Sequence, residues 1–133
     1  EADHLFATRL WQNNSKVHFD INAREDKKRL IYGGHVISLV RSLSFNGLEN
    51  AQLIVGINGG THANPVFAED TIYCWSEVLD KIDLNVRNIA ALRLRSVGTK
   101  EKNHNMRLKS DDGKYLPTIV LDFDYWVLVP NEL

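Results

Sequence analysis

At 133 residues, 44% of them hydrophobic and 25% charged, the chain fits one compact domain and is too short for two ordinary ones. Its formal net charge is -1 at pH 7, from 16 basic and 17 acidic residues scattered along the chain. That balance excludes the broad basic footprint of a nucleic-acid binder, and no apolar run reaches the roughly 18 residues a membrane-spanning helix requires. The opening residues Glu1, Ala2, Asp3 and His4 carry no signal-peptide pattern. The lone cysteine, Cys74, cannot form an intramolecular disulfide, which fits a reducing compartment, and a cytoplasmic location is expected. Cys74 lies in a strand-like run and reads as a buried bystander.

In chain order, residues 3–11 carry Leu5, Phe6, Thr8, Leu10 and Trp11 among polar partners, the pattern of a helix with Asp3 as its N-cap. Residues 12–15 break it. The next stretch is polar and bears a histidine: Asn13, Asn14, Ser15, Lys16, Val17, His18, Phe19 and Asp20. Residues 27–32 turn from basic to apolar. Gly33, Gly34 and His35 then lead into Val36, Ile37, Leu39, Val40, Leu43 and Phe45. These apolar residues occupy nearly every side of a 3.6-residue helix, which predicts a helix enclosed by other structure. Asn46 and Gly47 suit a left-handed cap at its end.

Beyond that helix, period-two and β-branched runs predict four strands, at residues 51–58, 71–82, 89–99 and 118–129. A turn-rich loop, residues 59–65, separates the first two. A polar excursion, residues 100–114, separates the last two and ends in the turn signal Asp111, Asp112, Gly113. One buried helix followed by long strands predicts an α+β chain in which an antiparallel sheet curls round a central helix. There is no internal repeat. The sequence starts without methionine and without a strand ahead of its first helix, as a fragment, a processed chain or a trimmed record would.

Two features carry chemistry. Imidazole takes and returns protons near neutral pH, so His18 is a candidate acid and base; the bland alternative is a histidine that caps a loop. Paired glycines before a helix allow a ligand close to the backbone, where free N–H groups favour developing negative charge. They equally allow tight helix-on-sheet packing, and local sequence leaves both readings open. Among the remaining polar residues, Asp20, Glu25 and Asp26 are carboxylates that could orient His18 or equally form a solvated face, and His62 sits in a loop where it could touch substrate. Arg41 is one of several cations available to an anionic ligand, with Arg9, Lys16, Arg24, Arg93, Arg95, Lys100 and Lys102. Asp122 and Asp124 share one strand face and read as solvent-facing or interfacial. The scattered histidines and single cysteine have no metal-ligand spacing, so no bound metal is expected.

The segment from Asn13 to Asp20, the glycines before the helix, and the turn Pro65, Val66, Phe67, Ala68, Glu69, Asp70, Thr71 resemble the motifs of the MaoC-like dehydratase and hydratase family. In that family's pattern an aspartate stands where this chain has Asn13, and a glycine stands where it has Glu69. A closer resemblance, carried by residues 7–13, 16–19, 30–48, 70–77 and 120–125, is to the C-terminal half of mesaconyl-CoA hydratases, also called β-methylmalyl-CoA dehydratases, which are double-hotdog chains. The resemblance implies a hotdog fold: a curved antiparallel sheet round a central helix, as one domain or one lobe of a double hotdog. It implies a hydro-lyase acting on an enoyl-CoA or 3-hydroxyacyl-CoA thioester with a short, branched or dicarboxylic acyl group.

On that reading His18 is the catalytic group and Asn13 positions water or hydroxyl, because an amide transfers no protons here. Gly34 and His35 form the oxyanion hole, and Gly33, His62, Asp20 and Arg41 lie toward the substrate. No cofactor is implied, since CoA is part of the substrate. The expected partners are the acyl-CoA thioester and a second hotdog lobe, as a homodimer or a lobe pair, with no nucleic acid or membrane. Two rivals stand beside it: an acyl-CoA thioesterase, because hotdog folds also host thioester hydrolysis, and a non-catalytic lobe that supports a partner.

Overall fold

The computed structural model describes residues 1–51, 53–102 and 106–131. Helices α1 (Ala2–Leu10) and α2 (Gly33–Leu43) precede strands β1 (Leu53–His62), β2 (Tyr73–Val86), β3 (Ile89–Thr99) and β4 (Ile119–Pro130). Two short 3-10 helices, Lys16–His18 and Ile21–Ala23, connect α1 to the segment before α2. The strands form one antiparallel sheet in the order β1-β4-β3-β2, and α2 lies across it.

Strict alternation along β4 builds the core. Leu121, Phe123, Tyr125 and Val127 are buried in one cluster with Val36 and Val40 of α2 and Leu94 of β3. Asp122 and Asp124 point to the opposite face, as period two requires. There Arg95 grips Asp122 at 2.8 and 2.6 Å, and Arg93 grips Asp124 at 2.9 and 2.6 Å. Burial works against charge on Asp122, but hydrogen bonds from Arg95 and Tyr115 outweigh it and hold the carboxyl below its ordinary range. The core's own polar groups are satisfied by a run of hydroxyls, Ser76 to Ser96 at 2.9 Å and Ser96 to Tyr125 at 3.0 Å. Helix α2 comes close to the sheet at Gly98, where an added Cβ would lie 2.6 Å from Val40 Cγ2.

Several sequence expectations change. Helix α2 is the central helix, as expected, with Val36 and Val40 buried and Ile37 and Leu39 half-buried, but its C-terminal end is open: Leu43 is 47% exposed, and Phe45, just beyond the helix, 60%. The sheet covers the Val36 and Val40 stripe, and it is the last turn, at Leu43, that is left to solvent. The helix ends at Ser44, whose hydroxyl donates to the Arg41 carbonyl at 2.7 Å; the left-handed residue, Gly47 at φ 81°, comes later in the turn. Strand β1 runs on through Gly59, Gly60, Thr61 and His62, which the sequence reading made a loop. Glycine weakens a strand without forbidding it, and register shifts before Gly56 and Gly59 absorb the irregularity at this edge strand.

Helix α1 begins after Glu1, so Asp3 is in the first turn rather than at the cap, where its charge still complements the helix dipole. The strand predicted at 71–82 extends to Val86. Cys74 is half-buried, and burial pushes its thiol pKa up. Gln52 of the predicted first strand and residues 103–105 of the predicted excursion lie outside the described residues. No helix among the described residues is long and apolar enough to cross a membrane.

Candidate active site

Three backbone hydrogen bonds stitch together segments far apart in sequence. The Leu30 amide donates to the Val17 carbonyl at 2.9 Å, Ile31 to Val66 at 2.9 Å, and Ala63 to Val120 at 3.1 Å. The result is a cleft of about 530 Å³ between the start of α2, the segment after α1 and the end of β1. That volume is in the range of a small-molecule site. Its polar lining comes from Asn13, His18, Arg24, His62 and Asn64; Leu30, Ile31, Val36 and Val66 supply apolar walls.

His18 closes the 3-10 helix Lys16–His18, and its Nδ1 lies 2.8 Å from the Leu30 carbonyl oxygen. A carbonyl only accepts, so Nδ1 carries the proton. In the neutral ring Nε2 is then an unprotonated base, and the ring is braced edge-on to Tyr32 with centroids 5.9 Å apart. Asn13 is anchored by its own amide, which donates to the Thr8 carbonyl at 3.0 Å. Its side-chain oxygen accepts the Ser15 amide at 3.0 Å, which leaves the NH2 group as a donor.

At the start of α2 the two glycines make room for rings. A Cβ on Gly33 would lie 2.7 Å from His62 Nε2, and one on Gly34 would lie 2.6 Å from the Tyr32 ring and hydroxyl. The Tyr32 carbonyl takes the His35 amide at 2.9 Å and the Val36 amide at 3.2 Å. The unclaimed donors of this turn are therefore those of Gly33 and Gly34. His62 keeps an exposed outer edge while its inner edge rests against Gly33, and burial lowers its pKa.

A curated relative, the mesaconyl-CoA hydratase of Cereibacter sphaeroides, is 60% identical over 131 residues, covering 98% of this chain and 38% of that protein. The beta-methylmalyl-CoA dehydratase of Chloroflexus aurantiacus is 52% identical over 137 residues, covering 99% and 39%. A crystal structure of a MaoC domain protein from Chloroflexus aurantiacus superposes with a TM-score of 0.93 at 49% identity, covering 99% of this chain and 39% of that one. Over nearly its whole length the chain is similar to one part of these MaoC-type proteins, and it has a hotdog fold. It spans about two-fifths of the length of the curated relatives it matches. No protein-family model matches it.

Within this hotdog domain the expected site residues do not all converge. His18, Asn13, Gly33 and His62 share the cleft. Gly34 and His35 are not among its lining residues, and His35's amide is already used. Asp20 does not orient His18: its carboxylate accepts the Asn22 amide at 2.8 Å and caps the second 3-10 helix. The Leu30 carbonyl takes the orienting role. Arg41 sits eight residues along α2 from Gly33, about 12 Å at 1.5 Å per residue, and its guanidinium donates to Ser44 at 2.9 Å.

Sequence reasoning missed Tyr32, Asn64 and the Leu30 carbonyl. A ring directly before paired glycines was a signal for Tyr32. Asn64 clamps the cleft wall by donating to the Leu116 and Ile119 carbonyls at 2.9 and 2.7 Å, and nothing local in the sequence marks it. Among the described residues no group of three or more His, Cys, Asp and Glu is arranged to hold a metal.

Proposed function

We propose that this MaoC-like domain is a hydro-lyase that adds water to an enoyl-CoA thioester or removes it from a 3-hydroxyacyl-CoA, with a short, branched or dicarboxylic acyl group. The observation that carries this reading is the His18 imidazole, held by the Leu30 carbonyl with Nε2 as a base in the cleft that Gly33 lines. The names of the two curated relatives make mesaconyl-CoA and β-methylmalyl-CoA the substrates to try first.

In the dehydration direction His18 Nε2 takes the C2 proton, and the thioester oxygen gains charge as the C2–H bond breaks. The free Gly33 amide, at the start of α2 and in the cleft wall, holds that oxygen at the positive end of the helix dipole. The protonated imidazole then gives its proton to the C3 hydroxyl on the same face. The C3–O bond breaks, the C2–C3 double bond forms and water leaves. The Asn13 NH2 group holds the hydroxyl for that transfer. One imidazole thus serves both proton steps, which is why an amide suffices at position 13. Side chains and amides supply all of this chemistry, so the reaction calls for no metal or other cofactor.

The cleft is open on one side, and apolar residues on α1 and both edge strands face solvent. We infer pairing with a second hotdog lobe, in a homodimer or within one longer protein, which covers them. The lone half-buried thiol of Cys74 supports a cytoplasmic setting.

Absorbance assays on mesaconyl-CoA and related enoyl-CoA esters test the reading. His18→Ala should lose about a hundredfold or more in turnover, the usual weight of a general acid and base, while Asn13→Asp retains activity. A His18→Ala protein with near-normal turnover would end it. Release of free thiol with C2–C3 unsaturation unchanged would reassign the cleft to thioester hydrolysis.

A further inference from the structure

Three cations, two from the segment before α2 and one from just beyond β3, converge on one aromatic ring at the outer end of the cleft. Arg24 Cζ lies 5.4 Å, Lys28 Nζ 5.6 Å and Lys100 Nζ 5.9 Å from the centroid of Phe67. Phe67 directly follows Val66, and both Val66 and Arg24 line the cleft that holds His18. Phe67 also borders a smaller depression of about 260 Å³ that carries Lys27, Lys28 and Arg29 together with Glu1 and Glu69. Arg29 there is paired with Glu1 at 2.8 Å, so Lys27 and Lys28 carry the positive charge outward from the cleft mouth.

Two carboxylates organise this shelf. Asp26 accepts from Arg24 Nε at 3.0 Å and Nη2 at 2.7 Å, and its Oδ1 also accepts the Lys28 amide at 3.2 Å. Asp70 pairs with Lys100 Nζ at 2.7 Å and accepts the Phe67 amide at 2.8 Å. Each carboxylate thus fixes one cation and one backbone amide of the shelf. The Lys28 ammonium has no carboxylate partner among the described residues. Three like charges gathered on one ring repel one another, and a ring face offsets only part of that. A phosphate group satisfies such a cluster better than water does, because its oxygens accept from several donors at once.

We propose that the Phe67 shelf binds phosphate on the carrier to which the acyl thioester is attached, with Lys28 as the cation that moves onto it. This inference rests on the thioester reading above. The same phosphate chemistry is offered by a free nucleotide carrier and by a pantetheine arm borne on a carrier protein.

Calorimetric titration of the purified protein with adenosine 3′,5′-bisphosphate tests the shelf without requiring turnover. Binding should weaken as salt rises and fall about tenfold in Lys28→Ala, with recovery in Lys28→Arg. In turnover assays the KM advantage of a CoA thioester over the matching pantetheine thioester should shrink in Lys28→Ala. If the bisphosphate does not bind but a carrier-protein thioester shows the same dependence on Lys28, the shelf stands and its phosphate is protein-borne. Equal affinity and equal KM ratios in wild type, Lys28→Ala and the double variant Lys28→Ala, Lys100→Gln overturn the proposal. Hydration that persists without any Lys28 effect removes the shelf and spares the hydro-lyase reading. Lys28-dependent bisphosphate binding by a protein that hydrates nothing does the reverse.

Discussion

At His18 one backbone carbonyl selects which ring nitrogen is free, so the chemistry of the cleft depends on where Leu30 sits as much as on the histidine itself. Single residues elsewhere carry measurable penalties. Glu69 adopts φ 75°, a left-handed conformation that costs a residue with a Cβ about 1 kcal/mol or more. That is the physical reason a glycine belongs in this turn. Glu69→Gly should raise Tm by about 4 °C, and scanning calorimetry showing no gain would mean that the turn relaxes without strain. His4 is 2% exposed, and neither ring nitrogen has a hydrogen-bond partner among the described residues. Burial above all lowers its pKa, against a smaller pull from Glu1.

The sign of the pH dependence follows from those depressed histidine values. Above the ordinary value of 6.5 both folded and unfolded chains keep His4 and His62 neutral. As pH falls through 6.5 the unfolded chain protonates first, so stability drops from neutrality toward pH 5. The depressed carboxylates Asp70, Asp122 and Asp124 add their own loss only at more acidic pH. His4→Leu should stabilise the fold by about 1 kcal/mol at pH 7 and flatten the drop of Tm between pH 7 and 5. An unchanged or lower Tm would show that the buried imidazole has a partner after all.

At the scale of elements, helix α2 is placed by what glycine leaves out. Gly98 admits Val40 to the sheet, so Gly98→Ala should cost about 1 to 3 kcal/mol in urea unfolding. Gly59, with nothing within 4 Å of an added Cβ, should accept alanine within about 0.5 kcal/mol. Equal effects at both positions would contradict the close helix-to-sheet contact. Strand β3 was legible because apolar residues alternate with Arg93 and Arg95 through its middle, between the β-branched ends Ile89 and Thr99. Strand β1 was not, because Gly59 and Gly60 carry the local signature of a loop; pairing with Asp124 and Phe123 overrides it. That extension matters, since it delivers His62 to the cleft.

For the whole molecule the telling feature is which surfaces are bare. Helix α1 buries His4 and Thr8 and exposes Phe6, Leu10 and Trp11, the last by 69%. Leu53, Val55 and Ile57 of β1 and Val78, Leu84 and Val86 of β2 are also exposed. Clusters of exposed apolar residues such as these mark association surfaces. Light scattering after size exclusion should show self-association, and the pair Leu10→Glu and Trp11→Glu should weaken it. A protein monodisperse as a single copy at high concentration would remove the case for a second copy.

The sequence by itself determined the elements whose patterns repeat over neighbouring residues: the alternating strands, the apolar stripe of α2, and the glycine pair that opens it. It also singled out His18 and Asn13, because residue type and spacing carry that information locally. The His35–Tyr32 bond, the Asp20 cap and the place of Arg41 along α2 are set over short spans of chain; only the tertiary structure decided that Leu30 orients His18 and that His62 and Asn64 reach the same cleft. Those outcomes depend on backbone hydrogen bonds between residues 13 to 57 positions apart, such as Leu30 to Val17, Ile31 to Val66 and Ala63 to Val120. No short-range period encodes such pairings; the closing of sheet and helix around one core brings them about.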